Sequence, residues 1–164
     1  MGAIRVVARY TDGRVIKGFT QDFFPNKDRF HLIVDENRRT VEALVPRLKA
    51  VFFVRDFSGD PQYQERKRYL QGESPGGVKL EVTFADGEVL VGSTPLGYDP
   101  KRQGFFVTPA DPGSNNLRVF VVASAVKGVR QLFDYLLEGA TPEQGTASRG
   151  ITGSVAREPG LAGS

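Results

Sequence analysis

Two arginines four residues apart, Arg5 and Arg9, are the first residues in this chain whose types and spacing suggest chemistry. On an extended strand that spacing puts both guanidiniums on one face. Two planar, permanently charged forks side by side suit the oxygens of a phosphate. Arg38 and Arg39 approach from the loop before the fourth strand, and Asp22, on a nearby loop, is placed to orient one guanidinium or read a base edge. Arg5, Arg9, Asp22, Arg38 and Arg39 therefore form the candidate ligand-binding set. No catalytic set competes with them. His31 is the single histidine and cysteine is absent, which excludes a thiolate nucleophile, a zinc ribbon and a two-histidine metal site. No serine sits in a G-x-S-x-G elbow, and the glycines do not form a phosphate-cradling G-x-x-x-x-G-K-[ST] loop. Asp35-Glu36 lies in a polar loop and reads as a solvated turn. The expectation is a protein that is not an enzyme and needs neither a metal nor a cofactor.

These residues must be positioned by a scaffold, and the scaffold is written twice. Residues 5–18 read RVVARYTDGRVIKG and residues 79–92 read KLEVTFADGEVLVG, an ungapped match at an offset of 74 that aligns Asp12-Gly13 with Asp86-Gly87 and Gly18 with Gly92. Phe30-His31-Leu32 matches Phe105-Phe106-Val107 at an offset of 75, and Val45–Val51 matches Ala123–Val129 at 78. The growing offset marks an insertion in the second copy around Pro112–Asn116. A duplicated unit follows. Within it, Val6, Ala8 and Tyr10 alternate with Arg5, Val7 and Arg9, and Leu80, Val82 and Phe84 repeat the pattern. Period two means a strand with one buried face. Asp-Gly between two such runs predicts a two-residue hairpin turn in each copy. Further strands are predicted over 14–21, 30–34, 40–45 and 48–54, and over 88–94, 104–108, 118–123 and 125–132. Only Pro46-Arg47 and Ser124 separate the last pairs, a spacing that suits one turn of 3₁₀ helix.

Other segments carry different signals. Residues 57–77 form a polar linker in which Asp60 could cap a helix, with Pro61 in its first turn and Gly72 beyond its end. Val129, Leu132, Phe133, Leu136 and Leu137 fall at helical spacing before Gly139, which predicts a C-terminal helix. Beyond 139 periodicity is lost, and a disordered tail is expected. The domains expected are therefore 1–56, a linker over 57–77, 78–138 including the helix, and a tail over 139–164. The net charge of +3 is uneven: residues 1–58 hold eleven Lys and Arg against seven Asp and Glu, while 78–138 hold six against seven. The basic surplus belongs to the first copy. No apolar run approaches the roughly 20 residues that span a bilayer, and no leader pattern opens the chain, so a cytoplasmic protein without a membrane partner is expected.

Five short strands with a near-continuous last pair resemble a small SH3-like or Sm-like barrel, so the expected fold is all-β: two tandem five-stranded barrels, a short C-terminal helix and a tail. Gly97-Tyr98-Asp99 and Val122–Val129 resemble stretches of the Sm-like superfamily, but Val45-Pro46-Arg47 and Ala123-Ser124 lack its Lys-His or Arg-Gly pair at the kink. Arg5 to Arg9 has the R-x-x-x-R spacing of PilZ domains, and Asp22 matches their [DN]-x-S-x-x-G stretch, although Phe24 and Lys27 replace its Ser and Gly. That resemblance implies binding of cyclic-di-GMP, in a degenerate form. The whole pattern from Val6 to Phe23, V-x-x-R-Y-x-D-G-R-V-x-K-G-x-T-Q-D-F, resembles a bacterial family of such barrels without an assigned activity. The function expected is a non-enzymatic regulatory or adaptor module whose partner is a protein or a signalling nucleotide. The alternative is an Sm-like RNA- or DNA-binding protein. Contacts are expected at Phe57–Pro61 and on the basic face of the first copy.

Overall fold

A computed structural model describes residues 3–34 and 37–133. The described residues divide into two compact units, 3–34 and 37–68 with 75–131, and 69–74 with 132–133. In the smaller unit the described residues include a turn in which the Leu70 N–H donates to Glu73 Oε1 (2.6 Å) and the Glu73 N–H donates back to the Leu70 carbonyl (3.1 Å).

The larger unit is all-β. Its strands are β1 (Ile4–Tyr10), β2 (Val15–Thr20), β3 (Arg29–Ile33), β4 (Thr40–Leu44), β5 (Leu48–Val54), β6 (Val78–Phe84), β7 (Val89–Thr94), β8 (Gly104–Pro109), β9 (Asn116–Val122) and β10 (Val126–Gln131). Single 3₁₀ turns, Val45–Arg47 and Ala123–Ala125, join β4 to β5 and β9 to β10, where the short separations predicted them. All pairings are antiparallel, in the order β10-β6-β7-β8-β9-β5-β1-β2-β3-β4. Each half thus has its fifth strand beside its first, followed by the second, third and fourth. Among the described residues no α-helix forms, and none is long and apolar enough to cross a membrane.

The repeat extends to individual hydrogen bonds. The Tyr10 N–H donates to the Arg14 carbonyl and the Gly13 N–H to the Tyr10 carbonyl; Phe84, Glu88 and Gly87 do the same 74 residues later. Asp12 and Asp86 each accept the N–H two residues on (3.0 Å in both). Only the glycines take the left-handed conformation, Gly13 at φ 97° and Gly87 at φ 94°. These are therefore three-residue loops, a type I turn closed by a left-handed glycine, rather than the two-residue turns expected. The aspartate satisfies its backbone by an Asx turn and has no need of positive φ. Gly18 and Gly92 also coincide: a Cβ at Gly18 would lie 2.7 Å from the Ile33 carbonyl oxygen, and one at Gly92 would lie 2.2 Å from that of Thr108. At these points the second strand presses against the third, and only glycine allows that approach.

Two clusters make the core. One gathers Val6, Ala8, Tyr10, Phe30, Leu32, Val51 and Phe53 with Phe120 and Val122 from the second half. The other gathers Leu80, Val82, Phe84, Leu90, Val107, Val119 and Val121 with Ala50 from the first half. Alternation along β9 sends Phe120 and Val122 to one cluster and Val119 and Val121 to the other. The halves exchange side chains because β5 pairs with β9 through Ala50↔Val121, Val51↔Phe120, Phe52↔Val119 and Phe53↔Arg118. Among the described residues the hydrogen-bond ladder is thus one continuous ten-stranded sheet with β4 and β10 as its edge strands, where two tandem five-stranded barrels were expected.

Both helix expectations on described residues are corrected. Val129 lies on β10 opposite Val82, where a β-branched residue covering a sheet edge outweighs helical spacing; from 134 onward the predicted helix and the tail lie outside the described residues. At Asp60 the cap closes a turn and not a helix: its carboxylate accepts the Gln62 N–H (2.9 Å) and its carbonyl the Tyr63 N–H (3.1 Å). Too few apolar residues follow to bury a helical face.

Candidate functional site

The five predicted residues are held by different neighbours. Arg5 and Arg9 share one face of β1, as their spacing requires. The Arg5 guanidinium donates to the Arg55 carbonyl (2.6 Å), and beside it Lys17 Nζ donates to the Phe57 carbonyl (2.8 Å) while Phe19 meets the Phe57 ring edge-on at 5.4 Å. The start of the linker is therefore laid across the basic face. Arg9 stacks over Phe52, 5.7 Å from its centroid, rather than on a cross-strand acid. Asp22 turns to His31, accepting its backbone N–H (2.9 Å) and lying 2.7 Å from its Nδ1. Partial burial pushes the Asp22 carboxyl up, but the His31 donors and the Thr20 hydroxyl outweigh it and hold the group below the usual carboxylate range. Arg38, with φ 58°, and Arg39, whose carbonyl accepts the Val34 N–H (2.9 Å), belong to the loop between β3 and β4.

His31 extends this polar ladder across the edge of the sheet. It pairs with Glu42 across β3 and β4, its Nε2 lies 3.8 Å from Glu42 Oε2, and Arg29 reaches the same carboxylate at 3.5 Å. The set fastens the loop after β2 to the edge strands; it orients an imidazole but brings no nucleophile to it. Among the described residues no group of three or more His, Asp or Glu is arranged to hold a metal.

The polar linker clasps the second-copy insertion. Asp111, 7% exposed, accepts the Tyr63 hydroxyl (2.6 Å) and the N–H groups of Arg66 and Gly113 (2.8 Å each), and the buried Ser114 hydroxyl donates to Glu65 (2.7 Å). These donors, the Arg66 N–H first, hold the Asp111 carboxyl low, and the Asp111 bond holds the Tyr63 phenol high. The inserted residues that broke the repeat offset are thus the ones that anchor the linker.

Sequence reasoning missed a seam beside β4. The bonds from Val34 to Arg39 and from Val45 to Asp28 fix the phase of the β3–β4 ladder. Pairs alternate along an antiparallel ladder, so Thr40, Glu42 and Leu44 aim their N–H and C=O groups away from β3. A shallow cavity of about 130 Å³ adjoins this edge, lined by Tyr10, Arg14, Ile16, Val41, Leu44 and Arg47 with Glu42. The repeat assigns each lining residue a counterpart. Tyr10, Ile16, Val41 and Arg47 correspond to Phe84, Leu90, Val119 and Ala125, which pack together with Ala50 of β5. In the second half β5 fills the seam: it pairs with β9, the counterpart of β4, and Lys49, 8% exposed, secures it. Lys49 Nζ lies 2.7 Å from Asp86, pairs with Glu88 and sits 4.7 Å above the Phe84 ring. The Lys49 bond is the chief cause that holds the Asp86 carboxyl low. The signal was in the aligned repeats, where Arg14 stands against Glu88 and Arg47 against Ala125.

No curated protein and no solved structure matches this chain. A family model covers residues 2–133, which takes in all ten strands, both 3₁₀ turns and the seam. The chain belongs to that family, DUF6982, a family of unknown function.

Proposed function

We propose that the protein is a non-enzymatic adaptor module that binds a protein partner along the β4 edge. One observation carries the reading. The same seam occurs twice, is filled by a strand in the second half, and among the described residues is left open with outward-facing backbone groups in the first. We read each half as an SH3-like barrel that relies on a neighbouring strand to complete it. An extended segment docked on β4 would gain main-chain hydrogen bonds from the edge and specificity from the cavity, the logic of strand addition. The cyclic-dinucleotide alternative draws less support, since Arg5 holds the linker backbone and Asp22 holds His31. A second reading, single-stranded nucleic acid, is favoured by half-exposed Phe24 with Lys27 above its ring and by Arg118 between the rings of Phe53 and Phe106 (4.6 and 4.2 Å). A steep loss of oligonucleotide binding with salt would mark it.

The test uses Glu42→Pro. Proline removes the outward N–H at 42 and leaves the β3 ladder intact, a change that edge strands tolerate. Wild type should enrich extended peptides from a random displayed library, and the folded variant should enrich none of them. Equal enrichment by both proteins would overturn the reading.

A further inference from the structure

We infer that the open seam selects an acidic extended segment of another protein: an acidic residue, then a small one, then any residue, then an apolar one. The inference rests on the reading of β4 as a docking edge and names what that edge takes. The filled seam supplies the template. There Lys49 enters between Asp86 and Glu88, Ala50 packs among Phe84, Leu90, Val119 and Ala125, and Phe52 packs against the same cluster. An occupant of the open seam would present its own residues at these three positions.

The walls of the open seam keep the shape and change the charge. Tyr10, Ile16 and Val41 stand where Phe84, Leu90 and Val119 stand, so a small side chain still fits at the Ala50 position. The acidic pair is lost. Asp86 and Glu88 become Asp12 and Arg14, and Asp12 is already bound by Arg14 at 3.0 Å. Ala125 becomes Arg47, an exposed cation in the cavity wall. Glu42 lines the cavity too, but Arg29 engages its carboxylate at 3.5 Å. A lysine entering here would find Asp12 already paired and Arg14 in place of Glu88, whereas a carboxylate would face the Arg14 and Arg47 guanidiniums.

The same arithmetic disfavours a second copy of the chain. Among the described residues its other sheet edge is β10, which has the matching hydrogen-bond phase, because the counterparts of the β5 residues facing β9 are Lys127, Val129 and Gln131. Pairing β10 onto β4, however, would bring Lys127 to the Lys49 position, against Arg14 in place of Glu88, and would put Arg130, which pairs with Glu81 at 3.0 Å, at the apolar Phe52 position. Opposed like charges of this kind act as a specificity filter.

The experiment uses the full chain and two fluorescent peptides that copy residues 47–54 with a polar Gly-Ser tail, one keeping Lys49 and one carrying Lys49→Glu. Fluorescence anisotropy at low salt should show the glutamate peptide binding about tenfold more tightly. The double variant Arg14→Glu/Arg47→Glu should invert that preference; both residues are exposed, and circular dichroism checks its fold. Equal binding of the two peptides, or tighter binding of the lysine peptide, would overturn the acidic selectivity and leave the docking edge standing. Binding of neither peptide would overturn the docking edge itself. Sedimentation velocity showing wild-type dimers that Lys127→Pro dissolves, by removing an outward N–H of β10, would make the occupant a second copy and overturn the inference.

Discussion

Replacing Gly92 with alanine should destabilise the protein more than the same change at its repeat partner Gly18. The Cβ at 92 would lie 2.2 Å from the Thr108 carbonyl oxygen and 2.5 Å from a Val107 methyl, and at 18 it would lie 2.7 Å from the Ile33 carbonyl oxygen. Ordinary contact begins at 3.4 Å, so the strands must part by about 1.2 Å at Gly92 and about 0.7 Å at Gly18, and a hydrogen bond stretched by the larger amount is lost. β7 and β8 are joined only through Gly92↔Pro109 and Ser93↔Thr108, with the Ala110 N–H bonded to the Val91 carbonyl just beyond at 2.9 Å. Losing two such bonds costs about 2 kcal/mol. Overpacking adds about 1–3 kcal/mol, and the stiffer unfolded chain returns about 0.4–1 kcal/mol. Gly92→Ala should therefore cost about 2–4.6 kcal/mol, and Gly18→Ala, which loses no bond, about 0–2.6 kcal/mol. Urea unfolding followed by far-ultraviolet circular dichroism reads both as midpoint shifts at constant slope. A loss under about 0.5 kcal/mol at Gly92, or the reverse order, would refute the close-approach argument.

Other consequences follow from the same contacts. Asp111→Ala should cost about 2 kcal/mol by orphaning its donors, and trypsin should then cut at Arg66–Arg68 several times faster than in wild type; unchanged cleavage would contradict the clasp. Asp22, Asp86 and Asp111 have folded pKa values below their unfolded ones. Their contribution to stability is complete above about pH 4 and is lost as pH falls through the lowered folded values. Acid titration of Asp111→Asn should show a shallower acid limb than wild type. Phe23 meets the rings of Phe30, Phe53 and Phe120 at 5.1–5.5 Å, so Phe23→Ala should cost about 3 kcal/mol by denaturant melt. Its exposed neighbour gives the contrast: Phe24→Ala should change stability by less than about 0.5 kcal/mol.

The fold was legible where it depends on local chemistry. Alternation from Val6 to Tyr10 marked a strand, Pro46-Arg47 and Ser124 marked the 3₁₀ turns, and the offsets of 74, 75 and 78 hold through equivalent hydrogen bonds. What was not legible is which edge meets which. Alternation in β5 and β9 tells which face is buried but not that the two strands pair, so the single sheet that joins the halves is not legible in the sequence. Val129 shows the other limit: a single apolar residue fits a helical stripe or a sheet edge equally well, and β6 decides. For the candidate site, Arg5 and Arg9 were placed correctly on one face, yet a sequence does not reveal that the Arg55 and Phe57 carbonyls come to cover that face. The seam stayed hidden because its signal is a charge swap between repeats, Glu88 against Arg14, whose meaning depends on Lys49 reaching the second half.

Amide hydrogen exchange on the isolated protein, resolved by residue, tests the open seam most directly. Thr40, Glu42 and Leu44 should exchange rapidly, while their repeat counterparts Arg118, Phe120 and Val122, whose N–H groups face β5, should be protected to near the global unfolding limit. Equal protection of the two sets in dilute solution would mean that β4 is already covered, and would contradict the account.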